Sequence, residues 1–582
     1  MRKTKIVCTL GPASESPEIM TGLIEAGMNV ARLNLSHGSR DEHARRIETL
    51  RQACARLGRP VAVMLDTKGP EIRLGEFRNG SAVLEEGAAF TLTTREVLGD
   101  STIAHVQHPG FPRDVHEGGG VLLDDGNIGL SVLEVGGTDV RCRVLNGGVI
   151  SNRKKVNLPD SSVSLPALSD KDIDDLRWGV AIDVDFIAAS FIRKESDVLA
   201  IRRIIEEAGG CTHIISKIES REGVSNLDEI LKVSDGLMVA RGDLGVEIPP
   251  EDVPLVQKTM IDRCNRLGKP VITATQMLES MINKPRPTRA EASDVANAIF
   301  DGTDAVMLSA ETASGKYPVE ATAMMARIAE RAETALRHDE ILVRKRTQAA
   351  RTVTEAISSA TAGTANDLGA ACVITATESG HTARMVSKYR PRAPVLAVTP
   401  RPDTVRKLLL VWGVFPTQIT PVKGTDEMVD QAVLAGLEKG LIKKGDLVVI
   451  TAGVPVGIPG TTNLIKVHTV GDIPVRGTGI GSRPATGRAC IAKTATEAAG
   501  KFHPGDILVT IGTDSDFVPF IREASGIIAE EGGLTSHAAI AALQYGIPAV
   551  VGAQGATSIL RDLQTVTIDA TRGLIYLGEA CV

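Results

Sequence analysis

Lys217 and Glu219 close a short apolar run two positions apart, so on an extended strand their side chains emerge on the same face. The next such run ends in Arg241-Gly-Asp243. Two carboxylates, Glu219 and Asp243, at the ends of neighbouring strands suit Mg2+ or Mn2+, which takes oxygen ligands and leaves positions open for substrate oxygens. By themselves two such acids read as solvated loop residues. An ammonium in the same pocket changes that, because a cation beside a metal is what a developing enolate or a transferring phosphoryl group requires. Arg32, Lys68 and Arg73 add positive groups, and arginine grips phosphate in bidentate fashion. Asn34, Ser36, Asp66 and Thr67 are oxygen donors suited to a monovalent cation beside the phosphate, although the same residue types at strand ends also serve as loop formers and helix caps. The residues alone lead to a metal-assisted reaction on a small phosphorylated anion.

Such groups converge only if a scaffold brings them to one end. Eight short runs rich in β-branched residues, at 5–9, 29–35, 61–65, 186–189, 213–218, 236–240, 271–274 and 305–308, alternate with stretches of helical period at 39–57, 195–207, 226–233, 254–267 and 289–300. Eight βα units predict a (β/α)8 barrel, and nearly every run passes directly into polar residues at its C-terminal end, the rim on which such barrels build active sites. The spacing breaks once. Residues 69–165 are rich in glycine and short alternating runs (90–93, 121–123, 140–145), which predicts an all-β domain, a small β-barrel, inserted at the rim as a lid.

The predicted organisation is α/β throughout: a TIM-barrel catalytic domain at 1–68 and 166–340, the lid at 69–165, a further α/β domain at 341–473 and a fourth unit at 474–582. The charged stretch 338–351 reads as a connector. In the third unit, strands are expected near 372–376, 395–398 and 447–451, with helices at 382–389 and 425–440. In the fourth, strands are expected at 507–509 and 566–568 with a helix at 536–545. A chain of 582 residues is long enough for several such units. A net charge of -6 and only 3% aromatic residues argue against nucleic acid as a partner. The eight cysteines are scattered without a C-x-x-C pair, which predicts neither a zinc site nor a disulfide framework. No signal-type or bilayer-length apolar run is evident, so a reducing cytoplasm is the expected location.

The same residues lie in strings that closely resemble the pyruvate kinases: TKIVCTLGPAS from Thr4, NVARLNLSHG from Asn29, LDTKGPEIR from Leu65, SKIES from Ser216, GLMVARGDLGVEIP from Gly236, GKPVITATQMLESM from Gly268 and PRPTRAEASDVANAIFDGTDAVMLSAET from Pro285. The resemblance runs in order to about residue 473. It implies transfer of the phosphoryl group of phosphoenolpyruvate to ADP, giving ATP and pyruvate, with Mg2+ (or Mn2+) and K+, in a homotetramer. It further implies that Arg32 and Lys217 bind the phosphoryl group, that Glu219 and Asp243 hold Mg2+, and that Asn34, Ser36, Asp66 and Thr67 hold K+. Arg73, Lys154 and Asn34 would serve the nucleotide. Gly242 and Thr275 would hold the substrate carboxylate, with Thr275 near the proton relay, and Glu71 goes with potassium dependence. Two departures stand out: Lys155 where the lid string usually has glycine, and Ala310 where glycine usually precedes Glu311-Thr312.

Residues 377–382 (TESGHT) join a strand to a helix, a place where backbone N–H groups favour phosphate. Thr377, Ser379, Gly380 and Thr382 match the family's loop for a phosphorylated allosteric effector. Residues 532–539 (GGLTSHAA) resemble the phosphohistidine motif of the swivelling domain of phosphoenolpyruvate synthase and pyruvate phosphate dikinase, with His537 in the phosphoryl-carrying position. No segment resembles the ATP-grasp domain of those enzymes, which favours a packing role for this unit. A metal-dependent aldolase would share the barrel but not the lid or Lys217. A catalytically dead metabolite sensor would be expected to lack part of the set Arg32, Lys217, Glu219, Asp243 and Thr275.

Overall fold

A computed structural model describes residues 1–159, 161, 163–422, 424–453, 462–471 and 473–580. The chain divides into two compact units. The first comprises Met1–Glu355, Glu378–Arg390 and Thr399–Gln418, and the second Ala356–Thr377, Pro391–Val398 and Ile419–Val582.

The first unit is built on a closed parallel barrel of eight strands: β1 (Lys5–Thr9), β2 (Val30–Asn34), β3 (Ala62–Asp66), β4 (Phe186–Ala189), β5 (His213–Ile218), β6 (Gly236–Ala240), β7 (Val271–Ala274) and β8 (Ala305–Leu308). Each pairs with its sequence neighbours and β8 closes on β1. Alternation along each strand separates two cores. Val7, Val30, Met64, Ala188, Ile215 and Met238 fill the interior, while Cys8, Ala31, Leu65, Ile187, Ile214 and Val239 pack outward against the helices. The inward series therefore ends at the rim on Thr9, Arg32, Asp66, Ser190 and Lys217, each two residues beyond an interior apolar side chain. Helix starts follow local chemistry: Ser39, Ser169 and Thr288 each accept a bond from the backbone N–H three residues on. Gly236 is needed where β6 meets β7, since a Cβ there would lie 2.6 Å from the Pro270 carbonyl oxygen.

The insertion is dominated by β-structure, with a single short helix, Phe111–Asp114, among its described residues. Its strands form a seven-stranded sheet and a separate two-stranded ladder of Ser81–Leu84 with Gly148–Ser151, rather than one closed barrel. Phe90, Leu92, Phe111, Leu130 and Val140 form its core. The stretch read as a connector is a helix, His338–Thr347. Leu342 anchors it, and the half-buried Lys345 donates to Asn265, so one of the charges that suggested a solvated link is held against the barrel.

In the second unit, Val395–Thr399, Cys372–Ala376 and Leu447–Gly453 run parallel in that order, with Thr462–Thr469 antiparallel at one side. The C-terminal segment forms a mixed eight-stranded sheet whose parallel centre is Ala485–Ile491, Ile507–Thr510, Gly526–Ala529 and Ala549–Val551. Helix His537–Tyr545 is capped by Ser536. Cys581 lies outside the described residues; the other seven cysteines are free thiols.

Candidate active site

Arg32, Asn34, Ser36, Asp66, Lys68, Arg73, Lys217, Glu219 and Asp243, all named from the sequence, line one cleft at the C-terminal rim. Lys217 Nζ lies 3.0 Å from Asp66 Oδ1, 3.0 Å from Glu219 Oε1 and 2.7 Å from Ser190 Oγ. Arg32 binds the other Asp66 oxygen through Nε at 2.6 Å and reaches Thr9 Oγ1 at 2.9 Å. These groups are buried, so each charge persists only through its partners. Burial works against the Lys217 ammonium, but the carboxylates of Asp66 and Glu219 outweigh it and hold the lysine above its ordinary value. Glu219 is pushed up to about 7, chiefly by burial and further by Asp243, against the pull of Lys217. Asp66 resists burial because Arg32 and Lys217 hold it below the usual carboxylate range.

Around this centre the backbone adopts left-handed conformations that side chains seldom take: Phe191 at φ 54°, Thr275 at 66° and Gln276 at 54°. Phe191 N–H donates to Glu219 Oε2 at 2.6 Å, fixing the carboxylate. Gly242 N–H donates to Thr275 Oγ1 at 2.8 Å, and Arg241 ties Thr275 down through its carbonyl at 2.6 Å. Asp243 lies in the first turn of helix Arg241–Glu247 rather than in a loop, and Lys155 of the lid is paired with it.

The structure gives three of the residues named from the sequence particular surroundings. Lys154 turns to Asp124 within the lid, at 2.6 Å, while its neighbour Arg153 lines the cleft. Thr67 is buried behind the rim, its Oγ1 accepting from Ser190 N–H at 3.2 Å, while Ser36 is exposed. Ser190 and Phe191 were not singled out from the sequence. Strand alternation two residues past Ala188 was the available signal for Ser190; nothing marked Phe191.

Among the described residues no group of three His, Cys, Asp or Glu side chains converges as a metal cage. The donor set nevertheless fits a hard divalent ion. It offers two carboxylates, each already holding an ammonium as a stand-in cation, and Mg2+ in phosphoryl-transfer sites uses one or two protein carboxylates with substrate oxygens and water.

In the second unit, His537 Nδ1 lies 2.8 Å from Thr513 Oγ1. Of the effector-loop residues, Gly380 has φ 77° and precedes helix His381–Ser387, and Thr382 is buried. Thr377 N–H donates to Val398 O at 3.0 Å, and Ser379 O accepts from Arg384 at 3.4 Å.

Buried cations facing paired carboxylates at a barrel mouth, beneath an inserted β-domain, suit a barrel enzyme acting on a small phosphorylated anion. Known families narrow this further. The profile described as "Pyruvate kinase, barrel domain" matches residues 1–322, "Pyruvate kinase, alpha/beta domain" residues 355–468, and "PEP-utilising enzyme, mobile domain" residues 502–573. The chain is 55% identical to a pyruvate kinase of Geobacillus stearothermophilus and 54% identical to one of Bacillus licheniformis, each over 585 residues and the full length of both chains. A crystal structure of a pyruvate kinase from Cryptosporidium parvum superposes with a TM-score of 0.77 at 42% identity, covering 80% of this chain and 96% of that one. The chain belongs to the pyruvate kinase family.

Proposed function

We propose that the protein transfers the phosphoryl group of phosphoenolpyruvate to ADP, yielding ATP and pyruvate. The observation that carries this reading is the Lys217 ammonium, held 3.0 Å from both Asp66 and Glu219 beside Arg32. Arg32 and Lys217 receive the phosphoryl oxygens. As an ADP β-phosphate oxygen bonds to phosphorus, the bond from phosphorus to the C2 oxygen breaks, and Lys217 faces the charge that grows on that oxygen. Gly242 and Thr275 hold the carboxylate, for which the Gly242 N–H must leave Thr275 Oγ1. Thr275 then stands at the relay that delivers a proton to C3 of the enolate. Arg73, Asn34 and Lys154 serve the nucleotide, Lys154 by releasing Asp124. Mg2+ or Mn2+, held by Glu219 and Asp243, would supply Lewis-acid neutralisation of the phosphoryl charge. K+ would be held by Asn34, Ser36, Asp66 and Thr67.

The setting proposed with this reaction is a cytoplasmic homotetramer, regulated by a phosphorylated metabolite at Thr377, Ser379, Gly380 and Thr382. Among the described residues no helix is long and apolar enough to cross a membrane.

Glu71 supplies the test of the potassium reading. Its carboxylate lines the cleft and pairs with Arg73 at 2.6 Å. In Glu71→Lys a tethered ammonium replaces the monovalent ion. Wild-type activity is expected to rise at least about tenfold on adding K+, and the variant to lose most of that stimulation. An equal response to K+ in both would refute the assignment. For the C-terminal unit we propose a packing role rather than phosphoryl transfer through His537, an exposed imidazole whose Nδ1 lies beside the Thr513 hydroxyl. Incubation with phosphoenolpyruvate labelled in its phosphoryl group is expected to leave no acid-labile label on the protein, and label lost in His537→Ala would overturn that.

A further inference from the structure

The mechanism above makes no use of Lys155, which replaces the glycine usual in the lid string. Its position is specific. It opens the lid strand Lys155–Asn157, where it pairs in register with Arg73. Its side chain is only 11% exposed. The ammonium is ion-paired and hydrogen-bonded to Asp243, lies 4.0 Å from Glu71 Oε1 and sits 4.6 Å from the centroid of the Phe191 ring. Phe191 is the residue whose N–H fixes Glu219 at 2.6 Å, so the aromatic seat of Lys155 and the anchor of the second carboxylate are one residue. Two positions on, and on the same face of the strand, Asn157 Nδ2 donates to Glu247 Oε1 at 2.6 Å, at the far end of the short helix that carries Asp243. The lid strand is thus fastened to that helix at both ends, once through an amide donor and once through an ammonium.

We propose that Lys155 is a tethered counter-ion of the divalent-metal site: in the metal-free enzyme its ammonium occupies Asp243 and fastens the lid to the rim, and a divalent ion gains Asp243 only by displacing it. The inference rests on the assignment of Glu219 and Asp243 as the metal pair. Lys155 and a metal ion are competing positive charges for one carboxylate. The chain's own cation therefore weakens metal binding and couples it to release of a lid contact. Loss of the pair leaves the ammonium beside Glu71 and the Phe191 face, a cation–π seat that keeps it in the cleft once Asp243 has been taken.

Mn2+ binding to the substrate-free protein, followed by the electron paramagnetic resonance of free Mn2+, reads this directly. Lys155→Met is expected to bind Mn2+ about tenfold more tightly than wild type, the modest factor expected where the competing pair is partly solvated. Lys155→Arg, which keeps the charge, is expected to stay near wild type. Hydrogen exchange of the wild type gives an independent reading: Mn2+ alone should reduce amide protection at residues 155–157. Unchanged or weaker Mn2+ binding in Lys155→Met, or unchanged or rising protection at 155–157, would overturn the proposal. Glu219→Gln separates the two claims. If it binds Mn2+ as well as wild type, the metal assignment itself fails. If it loses Mn2+ while Lys155→Met is indifferent, only the role of Lys155 fails.

Discussion

Lys217→Met is expected to lower kcat for pyruvate formation by about 10³-fold while changing KM for phosphoenolpyruvate far less. The split follows from what the ammonium faces. In the resting site it is held by Asp66, Glu219 and Ser190, and Arg32 remains beside Asp66 to receive the substrate phosphoryl group. Ground-state binding therefore keeps one of its two cations, whereas the charge that appears on the C2 oxygen as its bond to phosphorus breaks has lost its partner. Lys217→Arg is not a rescue, because a planar fork cannot take the place of a compact ammonium held by three oxygens. Methionine keeps roughly the length of the side chain, and Asp66 keeps Arg32, so the fold should survive. A thermal melt alongside steady-state kinetics checks this. A variant that kept kcat within a few-fold of wild type would remove Lys217 from the chemistry.

The second large effect is on metal affinity. Glu219→Gln keeps shape and the bond from Phe191 N–H but removes the charge, and Mn2+ affinity at pH 8 is expected to fall by about 100-fold. The pH dependence of the wild type follows from the same carboxyl. In the metal-free protein burial raises Glu219 to about 7, so above that pH it is ionised and available, while below it a proton must be displaced before a metal can bind. Mn2+ affinity should therefore decline on acidification through neutral pH, approaching about tenfold per pH unit. Asp243 does not share this slope, because Lys155 and Lys217 hold it below the usual carboxylate range despite its burial. Calorimetric titration between pH 6 and pH 8 should show the slope in the wild type and its loss in Glu219→Gln. A flat wild-type profile would contradict the environment assigned to Glu219.

Much of this was legible because barrel strands announce themselves. Short apolar runs buried on both faces marked all eight strands, with shifts of one residue at β2 and β3, where Asn34 and Asp66 sit at the strand ends. The rim residues followed from the polar residues that end each run, and for Lys217 and Glu219 from strand alternation, which applied at Ala188 would also have marked Ser190. What periodicity could not supply was pairing between distant segments. Lys155 meets Asp243 across 88 positions, and nothing local predicts it. Lys154 pairs with Asp124 within the lid while Arg153 lines the cleft, and nothing in the local sequence distinguishes the two. In the 338–351 stretch charge density signalled solvent correctly, since Leu342 is its one buried residue, but gave no sign that residues His338–Thr347 form a helix.

The measurement closest to the central claim is phosphorus NMR of the wild-type protein with phosphoenolpyruvate, ADP, Mg2+ and K+. The phosphoenolpyruvate resonance is expected to be replaced by those of ATP, with one pyruvate formed per ATP, and conversion is expected to stop when the divalent ion is chelated. Conversion to pyruvate and inorganic phosphate without ATP, or no conversion even with sugar phosphates and nucleoside monophosphates added, would contradict it.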